Sequence, residues 1–274
     1  MIISCIQTSP NLGNVESNLD DLDARVGECK ADLIVLPELF ATGYFFSSTE
    51  QAHALSEDVP NGPTTQRLER WSRTTGATIV AGIAERDGDD LYNSAVVVTP
   101  HGWLGTYRKT HLFYEETLHF TPGDSGFKVW TVRDRRGRSY RLGVMVCFDW
   151  FFPEAARSLA LAGADVIAHP SNLVLPHCPD AMRFRALENG VFTATANRIG
   201  TESNGKEDLT FIGRSVICAP DATVLAEAPT NTEALISAEI NPLVSRDSGL
   251  NAYNDRRASR RPELYRLGTV ETEL

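Results

Sequence analysis

The 274-residue chain is poor in the features that would commit it to a membrane, an exported scaffold or a nucleic acid. Its longest apolar runs, such as Leu33–Leu36 and Leu142–Phe148, fall far short of the ~18–20 residues that span a bilayer. The five cysteines (Cys5, Cys29, Cys147, Cys178, Cys218) include no C-x-x-C pair, and there is no N-x-S/T sequon, so they do not read as a disulfide framework. Cations are outnumbered, Lys+Arg 26 against Asp+Glu 36, and a net charge of −10 repels polyanions. A Gly-rich dinucleotide fingerprint and a Walker A sequence are both missing, which leaves a nucleotide cofactor without support. His177 and Cys178 are adjacent, but nothing nearby completes a ligand set, so no metal is expected. The first ten residues carry no basic leader, apolar stretch or cleavage site. The expectation is a protein of the reducing cytoplasm that works without cofactor, nucleic acid or membrane. No repeat or Gly/Ser linker interrupts the chain, so residues 1–274 are expected to form one domain.

What is present is a regular alternation of apolar periods. Ile2–Gln7 reads as a strand, and Val15, Leu19, Leu22, Val26 and Cys29 form the stripe of an amphipathic helix. Leu33–Leu36 is a continuous apolar run of the kind covered on both faces, closed by Pro37. A helix is predicted over Thr64–Thr75, then strands over Thr78–Glu85, Leu91–Thr99 and Trp103–Lys109. Thr110–Gly126 has no period and is read as a long ordered loop. Strands are expected at Phe127–Val132 and Tyr140–Val146, a helix at Pro153–Ala162 with proline in its favoured first position, and a strand at Asp165–His169. A helix over Pro179–Asn189 and a strand over Val191–Asn197 follow, then a polar loop to Leu209 and strands at Ser215–Ala219, Thr223–Ala226 and Glu233–Glu239. Residues 241–274 read as a helix and a tail packing at a subunit interface. Strand pairs mixed with β-α units suggest an α/β fold of two packed sheets flanked by helices.

Three residues of complementary chemistry end apolar strands: Glu38, Lys109 and Cys147. Singly each has an ordinary structural explanation, a solvated strand end for Glu38 and Lys109 and a buried core thiol for Cys147. Strand ends, however, commonly form sites in α/β proteins. A carboxylate, an ammonium and a thiol brought together supply a general base, a charge for a developing oxyanion and a nucleophile, an inventory suited to acyl transfer.

The chain resembles the nitrilase superfamily of carbon–nitrogen hydrolases through Leu36-Pro37-Glu38-Leu39 with Thr42-Gly43-Tyr44, through Tyr107-Arg108-Lys109-Thr110-His111-Leu112, and through Gly143-Val144-Met145-Val146-Cys147-Phe148-Asp149 with Pro153-Glu154. The resemblance continues in Pro122-Gly123-Asp124, Arg185-Ala186-Leu187-Glu188-Asn189, Asn197-Arg198-Ile199-Gly200 and Phe211-Ile212-Gly213-Arg214-Ser215, reaching about residue 240. It implies a four-layer αββα sandwich, assembly into homodimers or larger oligomers, and a Cys-Glu-Lys triad. Cys147 would be the nucleophile, Glu38 the general base and acid, and Lys109 the oxyanion partner together with the backbone N–H after Cys147. A further family glutamate falls on Glu116 in preference to its neighbour Glu115. Phe148, Tyr44, Trp150 and Asn172 are the candidates for the oxyanion and substrate pocket. Lys109 and the helix beginning near Pro153 are expected to favour the Cys147 thiolate. Family members that cleave nitriles usually have Trp-Glu after the cysteine, whereas this chain has Phe148-Asp149. The implied substrate is therefore a small, aliphatic, linear amide, hydrolysed through a thioester with release of ammonia. Nitrile or N-carbamoyl hydrolysis and a catalytically silent interaction module are the alternatives; the polar set Glu38, Lys109, Glu116 and Cys147 argues against the last, because a scaffold has no use for its costly burial.

Overall fold

The computed structural model describes residues 1–265. The first half of the chain gives β1 (Ile2–Gln7), α1 (Val15–Gly27), β2 (Leu33–Val35), α2 (Thr49–Leu55), β3 (Glu57–Asp58), α3 (Pro63–Thr75), β4 (Thr78–Asp87), β5 (Asp90–Thr99), β6 (Gly102–Arg108) and α4 (Glu116–His119). The second gives β7 (Val129–Arg133), β8 (Ser139–Val144), a 3-10 turn over Cys147–Phe151, α5 (Pro153–Leu161), β9 (Val166–Pro170), α6 (Cys178–Asn189), β10 (Phe192–Ala196), β11 (Ile199–Ser203), β12 (Asp208–Ile212), β13 (Val216–Cys218), β14 (Val224–Glu227) and β15 (Ala234–Glu239).

Two mixed sheets result. One runs β15-β1-β2-β4-β5-β6, with β3 also on β4, and the other β14-β13-β10-β9-β8-β7. Parallel pairs occupy the middles, β1-β2-β4 and β8-β9-β10. The edges are closed by antiparallel hairpins such as β4-β5 and β7-β8. The period-2 alternation of a strand sends Leu33, Val35 and Val80 into the core shared with the second sheet, and Ile34, Leu36, Ile79 and Ala81 against Leu19, Leu22, Leu68 and Trp71 of α1 and α3. Both faces of β2 are buried, which is why its sequence is unbroken apolar rather than alternating. Helices α5 and α6 cover the outer face of the second sheet through residues such as Ala156, Leu159 and Met182. The layers are therefore helix, sheet, sheet, helix, as the resemblance implied.

Some expectations are corrected. The stretch read as a polar loop to Leu209 contains the hairpin β11-β12, paired from Ile199 opposite Ile212 to Ser203 opposite Asp208. The period-free segment after Lys109 holds the short α4. Helix α2 was not expected, although Ser48 followed three residues later by Gln51 is a capping signature; the Ser48 hydroxyl accepts the Gln51 N–H at 3.2 Å. The helix expected after Asn241 is reduced, up to residue 265, to the 3-10 turns Pro242–Arg246 and Pro262–Leu264; residues 266–274 lie outside the described part. Among the described residues no helix is long and apolar enough to cross a membrane.

Candidate active site

Glu38 follows the end of β2, where the chain must pass very close to β4. The Gly82 N–H donates to the Pro37 carbonyl at 3.0 Å, and a Cβ on Gly82 would lie 2.3 Å from the Glu38 Cα, so only glycine permits the approach. Lys109 follows β6, its N–H bonded to the Asn93 carbonyl and its own carbonyl to the Gly123 N–H, both at 2.8 Å. Glu116 opens α4. The three side chains meet in the interior: Lys109 Nζ donates to Glu38 Oε1 at 2.7 Å and to Glu116 Oε1 and Oε2 at 2.7 and 2.8 Å. Glu115, the alternative by one position, points elsewhere and accepts from Asn204 at 2.9 Å.

Two further residues complete this buried floor. Asn93 of β5 donates through Nδ2 to Glu38 Oε1 at 2.7 Å and to Glu116 Oε2 at 3.4 Å, bridging both acids. The Tyr44 hydroxyl donates to Glu116 Oε1 at 2.6 Å. Asn93 was missed because an asparagine inside an apolar strand carries no motif of its own, and Tyr44, expected to narrow the pocket, instead holds an acid. Glu38 Oε2 is buried and has no partner among the described residues.

Cys147 begins the 3-10 turn with φ 41°, a left-handed backbone that a side-chain-bearing residue rarely adopts. Its neighbours enforce it. The buried Asp149 carboxylate accepts from the Val146 N–H at 2.9 Å, the Tyr107 hydroxyl at 2.7 Å and His111 at 2.8 Å. His169 Nε2 donates to the Cys147 carbonyl at 2.9 Å. The thiol lies within electrostatic reach of Glu38, Lys109 and Glu116.

The electrostatics follow from burial. Burial pushes the Cys147 thiol well above its usual range and the Glu38 charge pushes it further, against the pull of Lys109 and of the Asn172 backbone. The expected resting thiolate is thus corrected: sequence reasoning counted the cation and the helix end but not the desolvation and the carboxylate beside them. Burial alone would lower Lys109; the charges of Glu116 and Glu38 reverse this and hold it protonated. Burial pushes Glu116 up to about 7, with Lys109 pulling it down and Glu38 raising it. Two acids around one ammonium thus leave room for one extra proton.

A cavity of ≈ 80 Å³ opens above the cysteine, with Phe148, Trp150, Asn172, Phe113 and Leu173 on its wall. Tyr44 is not on that wall. Among the described residues no three His, Cys, Asp or Glu side chains converge as a metal site. What the arrangement offers is a thiol at the base of an apolar cavity, a carboxylate oxygen free to take its proton, and a fixed ammonium beside them.

The carbon–nitrogen hydrolase family model matches residues 3–247. A protein named nitrilase from Pyrococcus abyssi is 47% identical over 266 residues, covering 96% of this chain and 98% of that one. The N-carbamoylputrescine amidase of Solanum lycopersicum is 32% identical over 260 residues, covering 86% and 83%. Among solved structures, a glutamate-to-glutamine mutant of the amidase from Nesterenkonia sp. AN1, showing covalent addition of the acetamide moiety of fluoroacetamide at its active-site cysteine, matches with TM-score 0.78 at 27% identity over 96% of this chain and 95% of that one. Sequence, layer order and family match agree, and the chain belongs to the carbon–nitrogen hydrolases of the nitrilase superfamily.

Proposed function

We propose that the protein hydrolyses small linear amides to a carboxylic acid and ammonia through a thioester on Cys147. The observation that carries this reading is the buried cluster beside the thiol, in which Lys109 binds Glu38 Oε1 at 2.7 Å while Glu38 Oε2 keeps no partner among the described residues. Glu38 Oε2 takes the thiol proton as sulfur attacks the carbonyl carbon, so the reaction starts from a neutral thiol. The oxyanion that forms is met by the Lys109 ammonium and the Phe148 backbone N–H. When the carbon–nitrogen bond breaks, Glu38 returns the proton to nitrogen, ammonia leaves and the thioester remains. Water, deprotonated by Glu38, then displaces the sulfur, which recovers its proton. Glu116, Asn93 and Tyr44 hold Lys109 and Glu38 in place throughout.

A second reading is favoured by the 47% identity to a protein named nitrilase. In it the thiol adds to a nitrile carbon, one water converts the thioimidate to the same thioester with loss of ammonia, and a second water releases the acid.

Ammonia release from short alkanamides, the matching nitriles and N-carbamoyl amines separates the readings. Amides are expected to turn over, Cys147→Ala to abolish turnover, and alanine at Cys5, Cys29, Cys178 or Cys218 to leave it. Lys109→Ala should cost at least ~10²-fold, the usual effect of removing an oxyanion donor. Turnover of nitriles alone, or a trapped acyl adduct on a residue other than Cys147, overturns the amidase assignment.

A further inference from the structure

The cavity over Cys147 is walled mainly by Phe113, Phe148, Trp150, Leu173 and Val174, with the exposed His177 also on its lining, and one buried side chain there is chemically out of place. Asn172 is only 2% exposed, and neither its Nδ2 nor its Oδ1 has a hydrogen-bond partner among the described residues. Buried amides are almost always paired, so this one calls for a ligand. Its backbone is held on both sides. The Ser171 N–H is fixed to the Ala196 carbonyl at 2.8 Å, the Leu173 N–H to Asn197 Oδ1 at 2.8 Å, and the Leu173 carbonyl to the Ile212 N–H at 2.9 Å. Asn172 and Cys147 line the same cavity, so Asn172 borders the space that an acyl group on the sulfur would occupy.

We propose that Asn172 is a specificity-determining residue whose amide binds an uncharged group, one that both donates and accepts a hydrogen bond, on the acyl chain of the substrate. This rests on the reading of Cys147 as the attacking group. The preferred substrates are then short amides bearing a hydroxyl or a second carboxamide one or two carbons from the scissile carbonyl, not plain alkanamides. A neutral amide has no charge with which to offset a buried carboxylate or ammonium, so Asn172 itself favours uncharged substituents. At roughly 10–15 Å³ per water-sized group, a cavity of ≈ 80 Å³ admits about five to eight such groups, the size of these molecules.

The test uses isosteric pairs: glycolamide against propionamide, lactamide against isobutyramide, malonamide against isovaleramide. In the unmodified protein kcat/KM is expected to favour the polar member of at least one pair by about tenfold or more, because a site left with unpaired polar groups rejects the analogue that lacks their partner. Asn172→Leu conserves the bulk; it should collapse that ratio towards one, chiefly through a higher KM for the polar member. If Asn172→Leu fails to fold, affinities of the same pairs for the Cys147→Ala protein, measured by calorimetry, read the preference without altering Asn172. Equal rates and equal affinities within every pair overturn the Asn172 assignment while leaving amide hydrolysis intact. Absence of turnover for every amide tested overturns the underlying amidase reading instead.

Discussion

At the scale of single residues the site is a problem of placing charges without water. Glu38, Lys109 and Glu116 are all buried, and a buried ion survives only when its hydrogen bonds and counter-charges are complete. Asn93 supplies the missing donors, holding Glu38 Oε1 at 2.7 Å and leaning on Glu116 Oε2 at 3.4 Å without touching the cavity. Asn93→Ala should therefore lower kcat by about 10–100-fold through a misplaced base while KM stays within about threefold. Steady-state kinetics with a short amide checks the split; an equal fall in substrate affinity would place Asn93 in binding instead. Legibility at this scale depended on chemistry that announces itself. Glu38, Lys109 and Cys147 end apolar strands and carry reactive groups, so their sequence positions point to the cluster. Asn93 and the unpaired Asn172 act through geometry, which no spacing encodes.

At the scale of elements, the polar hairpin β11-β12 reaches the site without lining it. Arg198 and Glu202, buried and ion-paired, lie just before and on β11 respectively, and Arg198 stacks over the Phe211 ring at 4.1 Å. The Glu202 carboxylate accepts the N–H groups of Tyr44 and Phe45, each at 2.9 Å, and so aims the Tyr44 hydroxyl at Glu116. A Cβ on Gly43, whose φ is +81°, would meet Glu202 Oε1 at 2.7 Å, which explains the glycine of Thr42-Gly43-Tyr44. Glu202→Gln should leave Arg198 buried without its counter-charge and set an amide N–H against backbone donors. Breaking such a pair costs about 3–5 kcal/mol, and at about 2–4 °C per kcal/mol for a domain approaching this size the melting temperature should fall by about 10 °C. A thermal melt with no change would mean the pair is not holding the Tyr44 turn. The hairpin escaped the sequence reading because its outward strands carry Thr201, Ser203 and Thr210, which look like a loop; the Asn204-Gly205 step was the available turn signal. The strands beneath it were readable because burial on both faces writes unbroken apolar runs.

At the scale of the whole molecule, two sheets pressed face to face place the strand β9 against the first sheet and bury everything it carries. His169 is one such residue, fully enclosed, with Nε2 donating to the Cys147 carbonyl and Nδ1 accepting from the Thr195 hydroxyl at 3.0 Å. A carbonyl can only accept, so Nε2 carries a proton, and burial lowers the pKa from 6.5 to about 4, which leaves the ring neutral at pH 7. The consequence is a stability that depends on pH. Between pH 6.5 and about 4 the unfolded chain protonates this histidine and the folded one does not, so the unfolded state binds more protons and stability rises with pH. The contribution is whole above pH 6.5 and drains away as the pH falls through that window, reaching about 2–3 kcal/mol by pH 4.5. His169→Gln can keep a donor near the Nε2 position but cannot titrate. Urea unfolding at pH 7 and pH 4.5 should therefore show the unmodified protein losing about 2–3 kcal/mol more on acidification than His169→Gln. Identical losses in the two proteins would mean that His169 is already charged, or open to water, in the folded state, and that the carbonyl of the Cys147 turn is held by something else.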